Sequence, residues 1–128
     1  MTTPTKELEL KTLADQGHMT QSEYFQLFEQ ATRRMLETTT RKNTDYAAGH
    51  DAFKNFRLIE EITGGYITKE LGVLLRITDK ISRLGTLLVK QAKGEGGPLV
   101  TDERACDTAH DTGVYSTILE IMLRHPGR

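Results

Sequence analysis

The sequence has little cysteine, no excess of charge of one sign and no long hydrophobic run. Its single cysteine, Cys106, excludes an internal disulfide and a multi-cysteine zinc site. Seventeen basic residues stand against 18 acidic ones, a net charge of -1, so no broad field draws the protein to DNA, RNA or an anionic membrane. The longest mostly apolar stretch, residues 71–75, is far too short to span a bilayer. No signal-peptide hydrophobic region occupies the first twenty residues, and we therefore expect a cytoplasmic protein.

The length and the apolar content bound the architecture. A chain of 128 residues suffices for one domain, and 37% apolar residues give a lean core, so we expect a homo-oligomer that buries further surface. We predict a single all-α domain over residues 1–128. Residues 1–19 would form a short N-terminal helix or arm, and residues 125–128 a tail.

Helical signals dominate the chain. Thr20 and Glu23 form a capping box, and the helix behind it is expected to end at the threonines 38–40. Polar, turn-prone residues follow over 41–52, and Thr68 has the character of an N-cap. The prediction is a bundle of about three long and one or two short helices, the others lying near residues 5–15, after Asp51, over 69–93 and over 101–124.

One stripe of the long helix carries charge. Arg76, Asp79, Lys80 and Arg83 share a face at 100° per residue. That stripe suits binding of a phosphate, but it is equally compatible with a solvated face whose charges pair at helical spacing. Nearly opposite lies a single apolar arc, formed by Leu74, Ile77, Ile81, Leu84 and Leu88 and widened by Leu71 and Leu75.

The last helix brings carboxylates to the same region. Asp107 and Asp111 lie one turn apart, and with Asp79 from the neighbouring helix they would form a magnesium site. The alternative is that these acids pair with nearby cations. On the opposite face, small residues allow another backbone to approach closely: Ala105, Ala109, Gly113 and Ser116.

The polar segment before the long helix is the candidate base-binding element. Asn43, Asp45 and Tyr46 combine amide, carboxylate and aromatic groups that can read or stack on a base, and Lys42 can meet a phosphate. A structured connection without a ligand is the alternative. For Phe53 and Phe56 we favour a packing role at the end of the bundle.

Several of these segments resemble the phage and prophage nucleotide-modification-associated domain, over about residues 40 to 120. That resemblance implies a role on or around nucleotides in a phage-infected or prophage-carrying bacterial cell. The segments are Lys42-Asn43-x-Asp45-Tyr46, Asp51-x-Phe53-x-Asn55-Phe56, Arg76-x-x-Asp79-Lys80-x-x-Arg83-Leu84, Asp102-Glu103 and Asp107-Thr108-x-x-Asp111-x-x-x-Tyr115.

The two long helices are also distantly similar to the MazG-type all-α nucleoside triphosphate pyrophosphatases, which hold magnesium between acidic pairs on two helices. Asp79 and Asp111 match one acid on each helix. Lys80 and Arg83 stand where that family has acids, and Thr108 replaces another. Fewer carboxylates weaken dication binding, and added cations favour direct contact with phosphate oxygens.

We therefore expect a protein that binds a phosphorylated nucleotide or nucleotide-derived ligand, with a sequestering role against bacterial defence as one outlet. The alternatives are a magnesium-dependent nucleoside triphosphate pyrophosphohydrolase and a helical interaction module without a small ligand. No residue is assigned a catalytic role. The expected phosphate contacts are Lys42, Arg76, Lys80 and Arg83, the base contacts Asn43, Asp45 and Tyr46, and the magnesium ligands Asp79, Asp107 and Asp111.

Overall fold

The computed structural model describes residues 4–47, 51–95 and 103–128. These residues contain no strand, which confirms the predicted all-α class with three long and two short helices. None of the helices is long and apolar enough, within this described part, to cross a membrane. In chain order the helices are α1 (Pro4–Asp15), α2 (Gln21–Ala47), α3 (Lys54–Ile62), α4 (Lys69–Ala92) and α5 (Glu103–Arg124).

Contacts divide the chain into two compact units, Met1–Arg34 and Met35–Arg128. The first contains α1 and the beginning of α2, where the Tyr24 ring lies 5.7 Å from the Phe25 ring and 5.9 Å from the Phe28 ring. The second contains the rest of α2 with α3, α4 and α5, and all the candidate site residues belong to it. A single domain over residues 1–128 stays a prediction.

The second helix begins where the capping box predicts and runs longer than expected. The Thr20 hydroxyl oxygen accepts from the Glu23 backbone N–H at 3.2 Å, and the hydroxyl donates to the Glu23 carboxylate at 3.0 Å. The predicted end at residues 38–40 is wrong, because α2 continues to Ala47. Within this extension the Thr44 hydroxyl donates to the Thr40 carbonyl at 2.8 Å, which accommodates a polar side chain inside the helix.

A glycine turn joins α3 to α4. Gly64 and Gly65 have φ angles of 62° and 85°, in the left-handed region that glycine adopts without strain, and the Gly65 N–H donates to the Glu60 carbonyl at 2.7 Å. The predicted N-cap at Thr68 is confirmed, since its hydroxyl oxygen accepts from the Leu71 N–H at 3.2 Å. These contacts fix both ends of the turn.

The core lies between α4 and α5, which run antiparallel because Val73, early in α4, clusters with Met122, late in α5. At Gly72, next to Val73, a Cβ atom would lie 3.0 Å from Cγ2 of Ile59, so α3 approaches α4 closely there. Around the buried residues Val73, Ile77 and Met122 pack Phe53, Phe56, Tyr115, Ile118 and Leu119.

The apolar arc of α4 is not covered as one surface. Ile77 is buried in the core and Leu84 is half-buried, whereas Leu74, Ile81 and Leu88 remain 47%, 55% and 42% exposed. The arc therefore divides into a covered part and an exposed part.

The close approach expected at the small residues of α5 is present at Gly113. A Cβ atom there would lie 3.0 Å from the Met35 sulfur of α2. Nearby, Thr38 Oγ1 and His110 Nε2 are hydrogen-bonded at 2.8 Å, which links α2 to α5 a second time. The predicted start of this helix at Thr101 lies outside the described residues.

Candidate functional site

A recess opens where the second part of α2 meets α3, α4 and α5. Its cavity is about 250 Å³ and we call it the aromatic pocket. Each of the four helices contributes to its wall, and so does Ala52, two residues before α3. The lining residues are Thr39, Lys42, Asn43, Ala52, Asn55, Phe56, Arg76, Asp111, Val114, Tyr115 and Ile118.

A second, more open recess of about 400 Å³ adjoins the first. Its lining consists of the predicted charged stripe, namely Arg76, Asp79, Lys80 and Arg83, together with Tyr115. We call it the basic pocket. Because Arg76 and Tyr115 line both recesses, the two pockets share one wall.

Arg76 is held in this wall by aromatic rings. Its guanidinium carbon lies 5.8 Å from the Phe56 ring centroid and 5.9 Å from the Tyr115 ring centroid, within the range of cation–π attraction. Its Nη1 also donates to the Tyr115 hydroxyl at 3.4 Å, and the two rings meet edge to face at 6.5 Å. A guanidinium has five N–H donors, so most of them remain available to a ligand.

The charges of the basic pocket are mostly not neutralised by one another. Lys80 Nζ lies 3.4 Å from Asp111 Oδ2, and each of these side chains is 29% exposed. Among the described residues no carboxylate lies within salt-bridge distance of Arg76, Arg83 or Lys42. The contact between Lys80 and Asp111 agrees with the alternative that acids of the last helix pair with cations of α4. Among the described residues Asp79 forms no ion pair with Arg76 or Arg83.

The two pockets together carry a positive local charge. Lys42, Arg76, Lys80 and Arg83 stand against Asp79 and Asp111, four cations against two carboxylates, for a local charge of +2. The whole chain carries -1. A positive recess on a nearly neutral protein favours an anionic ligand of small size over an extended polyanion.

The polar groups of the aromatic pocket are partly fixed. Asn43 Nδ2 donates to the Ala52 carbonyl at 2.7 Å, which holds the amide between the end of α2 and the start of α3. Lys42 and Asn43 thus lie on a helix and not on the loop that the sequence predicts. The backbone of Asp45 and Tyr46 also belongs to α2, but their side chains lie outside the described part, so their base-binding role stays a prediction.

The three predicted magnesium ligands do not line one recess. Asp79 lines the basic pocket, Asp111 lines the aromatic pocket beside Lys80, and Asp107 is exposed and lines neither. Within residues 4–47, 51–95 and 103–128 no group of three or more His, Cys, Asp or Glu side chains is placed to hold a metal ion. Magnesium binding stays a prediction.

Several lining residues were not among the expected ligand contacts. Tyr115 is the most important, because it touches both pockets, and Asn55, Val114 and Ile118 also contribute. The spacing of residues 111, 114, 115 and 118 places them on one helical face. The α5 residues that line the aromatic pocket could therefore be predicted from the position of Asp111. Asn55 has no such signal, because its position depends on how α3 packs.

Compared with known protein families, with curated proteins and with solved structures, the chain shows no match. The resemblances to the nucleotide-modification-associated domain and to the MazG-type pyrophosphatases stay predictions. The function of the two pockets is therefore inferred from their residues and geometry.

Proposed function

We propose that the aromatic and basic pockets together bind a phosphorylated nucleotide or a small ligand derived from one. The observation that carries this proposal is the shared wall: Arg76 rests on the rings of Phe56 and Tyr115 and borders both recesses. A ligand with a flat apolar part and an anionic part matches such a pair of recesses. A nucleotide combines both parts in one molecule.

The basic pocket supplies the phosphate contacts. Arg76, Lys80 and Arg83 converge there from successive turns of α4, and Arg83 has no carboxylate within salt-bridge distance among the described residues. A guanidinium can donate two parallel hydrogen bonds to a phosphate, which makes arginine well suited to this contact. Asp79 and Asp111 would orient the cations, as Asp111 already does for Lys80.

The aromatic pocket supplies the base contacts. Phe56 and Tyr115 offer ring surfaces, and Asn43 and Asn55 offer amide groups that can donate to or accept from base edges. Lys42 lies at the same recess and can reach a sugar-linked phosphate. Together the two cavities, about 250 and 400 Å³, fall within the ~300–1,000 Å³ common for small-molecule sites.

The proposal is tested by calorimetric titration of the full chain with a panel of ligands. The panel contains nucleoside mono-, di- and triphosphates, the matching nucleosides, and inorganic pyrophosphate, each with and without magnesium. We expect saturable binding of at least one nucleotide, weaker binding of its nucleoside, and loss of affinity in Arg83→Ala. If no compound in the panel binds, or if binding survives in Arg83→Ala and Arg76→Ala alike, these pockets are not a nucleotide site.

The same samples separate binding from hydrolysis. A pyrophosphohydrolase would convert a triphosphate to monophosphate and pyrophosphate in magnesium, and Asp111→Asn would abolish the conversion. We favour binding without turnover because Lys80, 3.4 Å from the Asp111 carboxylate, competes with a dication for that group. Recovery of intact ligand from denatured protein supports a sequestering role, and release of pyrophosphate supports the enzyme. A helical interaction module would show neither.

A further inference from the structure

The exposed residues of the α4 apolar arc, together with the uncharged residues between and beside them, form one side of the helix, which we call the outer face of α4. Its large side chains are 42–55% exposed, and no charged residue interrupts it. From the first residue to the last it runs about 27 Å along the helix at 1.5 Å per residue. The outer face consists of Leu71, Leu74, Leu75, Thr78, Ile81, Ser82, Gly85, Leu88 and Val89.

Within the second unit, no described residue packs on the middle of this face. A Cβ atom built at Gly85 would meet no atom within 4 Å, and Ile81, one turn earlier, is 55% exposed. Large apolar side chains exposed along one side of a helix can form an interaction surface. It lies about 120° around α4 from the core residue Val73, so contact with α5 does not cover it.

The spacing of the outer face identifies the kind of partner. Leu71, Leu74, Thr78, Ile81, Gly85 and Leu88 follow one another at alternating intervals of three and four residues. This spacing matches the seam of a two-stranded coiled coil, in which a facing helix inserts its side chains between those of the first. The partner is therefore a helix with the same repeat.

The outer face is complementary to itself when two copies run antiparallel. Reversing the helix about a point between Asp79 and Lys80 places Leu74 opposite Gly85, Ile81 opposite Thr78, and Leu71 opposite Leu88. Each small residue then receives a large one. A parallel arrangement would instead set Gly85 against Gly85 and leave a gap. We propose that α4 pairs with α4 of a second copy of this chain, antiparallel, through this face.

The small number of residues on the outer face limits the strength of the pairing. Nine residues per copy are fewer than the ~20–30 per side of a standard stable interface. The dimer is therefore a reversible one, populated as the protein concentration rises. Since Arg76 and Arg83 lie on the opposite side of α4, both pockets stay open in the dimer.

The first test is sedimentation velocity of the full chain from about 1 to 300 µM. We expect a concentration-dependent shift toward twice the chain mass, and a monomer at every concentration for Ile81→Glu, which places two charges beside the symmetry axis. Leu58→Glu is the matched control, because Leu58 is 50% exposed and lies on α3, outside this face. The Leu58→Glu protein should dimerise as the wild type does. Circular dichroism confirms that each variant keeps its helix content.

The second test reads the orientation. In a Cys106→Ser background, Leu74→Cys and Gly85→Cys are mixed and oxidised. The antiparallel pair yields the mixed disulfide in preference to either homodimer, whereas a parallel pair yields the homodimers. A wild-type chain that stays monomeric throughout, a dimer that persists in Ile81→Glu, or a preference for homodisulfides would each overturn the proposal.

Discussion

Replacing Arg76 by alanine tests the shared wall directly. In the free protein the side chain makes two cation–π contacts and one long hydrogen bond, all at the surface. A cation–π contact at an exposed site contributes about 0.5–1 kcal/mol. Because Arg76 makes two such contacts, we expect the free energy of unfolding of Arg76→Ala to fall by about 1–2 kcal/mol, with helix content unchanged.

Arg76→Ala should also lower the affinity for the ligand. A hydrogen bond to a charged group contributes about 1.5–3 kcal/mol, and Arg76 is exposed, so the lower end applies. A loss of 1.5 kcal/mol weakens binding about tenfold. Arg76→Lys keeps the charge but loses the planar stacking, and we expect a weakening of about two- to fivefold, equivalent to about 0.5–1 kcal/mol.

Calorimetric titration with the tightest nucleotide of the panel measures both variants. Arg124→Ala is the control, since it removes the same charge from a side chain that pairs with Glu120 and lines neither pocket. The reasoning is refuted if Arg76→Ala binds within twofold of wild type. It is also refuted if Arg124→Ala loses as much affinity, because net charge and not the pocket would then control binding.

Three further predictions concern stability. Gly113→Leu should lower the free energy of unfolding, measured in a thermal melt, by about 1–3 kcal/mol, since even a Cβ atom would lie 3.0 Å from the Met35 sulfur. Gly113→Ala should lower it far less, because that sulfur can shift. Thr68→Ala should lower the free energy of unfolding by about 1 kcal/mol, because it deletes the N-cap of α4. Thr117→Ala is the control, since the Thr117 hydroxyl caps no helix and its loss should not have this effect. Equal losses in the two variants would contradict the capping role of Thr68. The Phe53 N–H and then Arg57 hold the pKa of Asp51 below its usual 3.8, so the carboxylate stabilises the fold above that pH and ceases to do so as the pH falls below it. The difference in melting temperature between wild type and Asp51→Asn should accordingly shrink between pH 6 and pH 3, and a constant difference would count against the contact.

Much of the fold is readable from local sequence signals. Thr68, with a hydroxyl before an apolar-periodic run, gives the start of α4, and the Gly64–Gly65 pair gives the turn before it. The end of α2 was not readable in this way. Threonines favour helix ends only weakly, and here Thr44 satisfies its own hydroxyl inside the helix, so local propensity gave no reliable stop.

The candidate site was predicted in part because helical periodicity places residues on faces. It brought Arg76, Asp79, Lys80 and Arg83 together correctly, and these line one pocket. Periodicity does not say which face meets which neighbour. The contribution of Asn55 and the shared position of Tyr115 depend on the packing of α3 and α5 against α4, which is long-range information. The absence of Asp107 from the lining of both pockets has the same origin.

The three faces of α4 explain how one helix can serve several roles without conflict. The core side carries Val73 and Ile77, the charged side carries Arg76 and Arg83, and the outer face carries Ile81. Sites with no shared partners contribute additively to stability and binding. Ile81→Glu should therefore abolish the dimer and leave the nucleotide affinity within about twofold of wild type. Arg83→Ala should weaken nucleotide binding at least about tenfold and leave the dimer intact. If the double variant departs from the product of the single effects, the two faces are coupled through α4, and the pockets are not independent of the second copy.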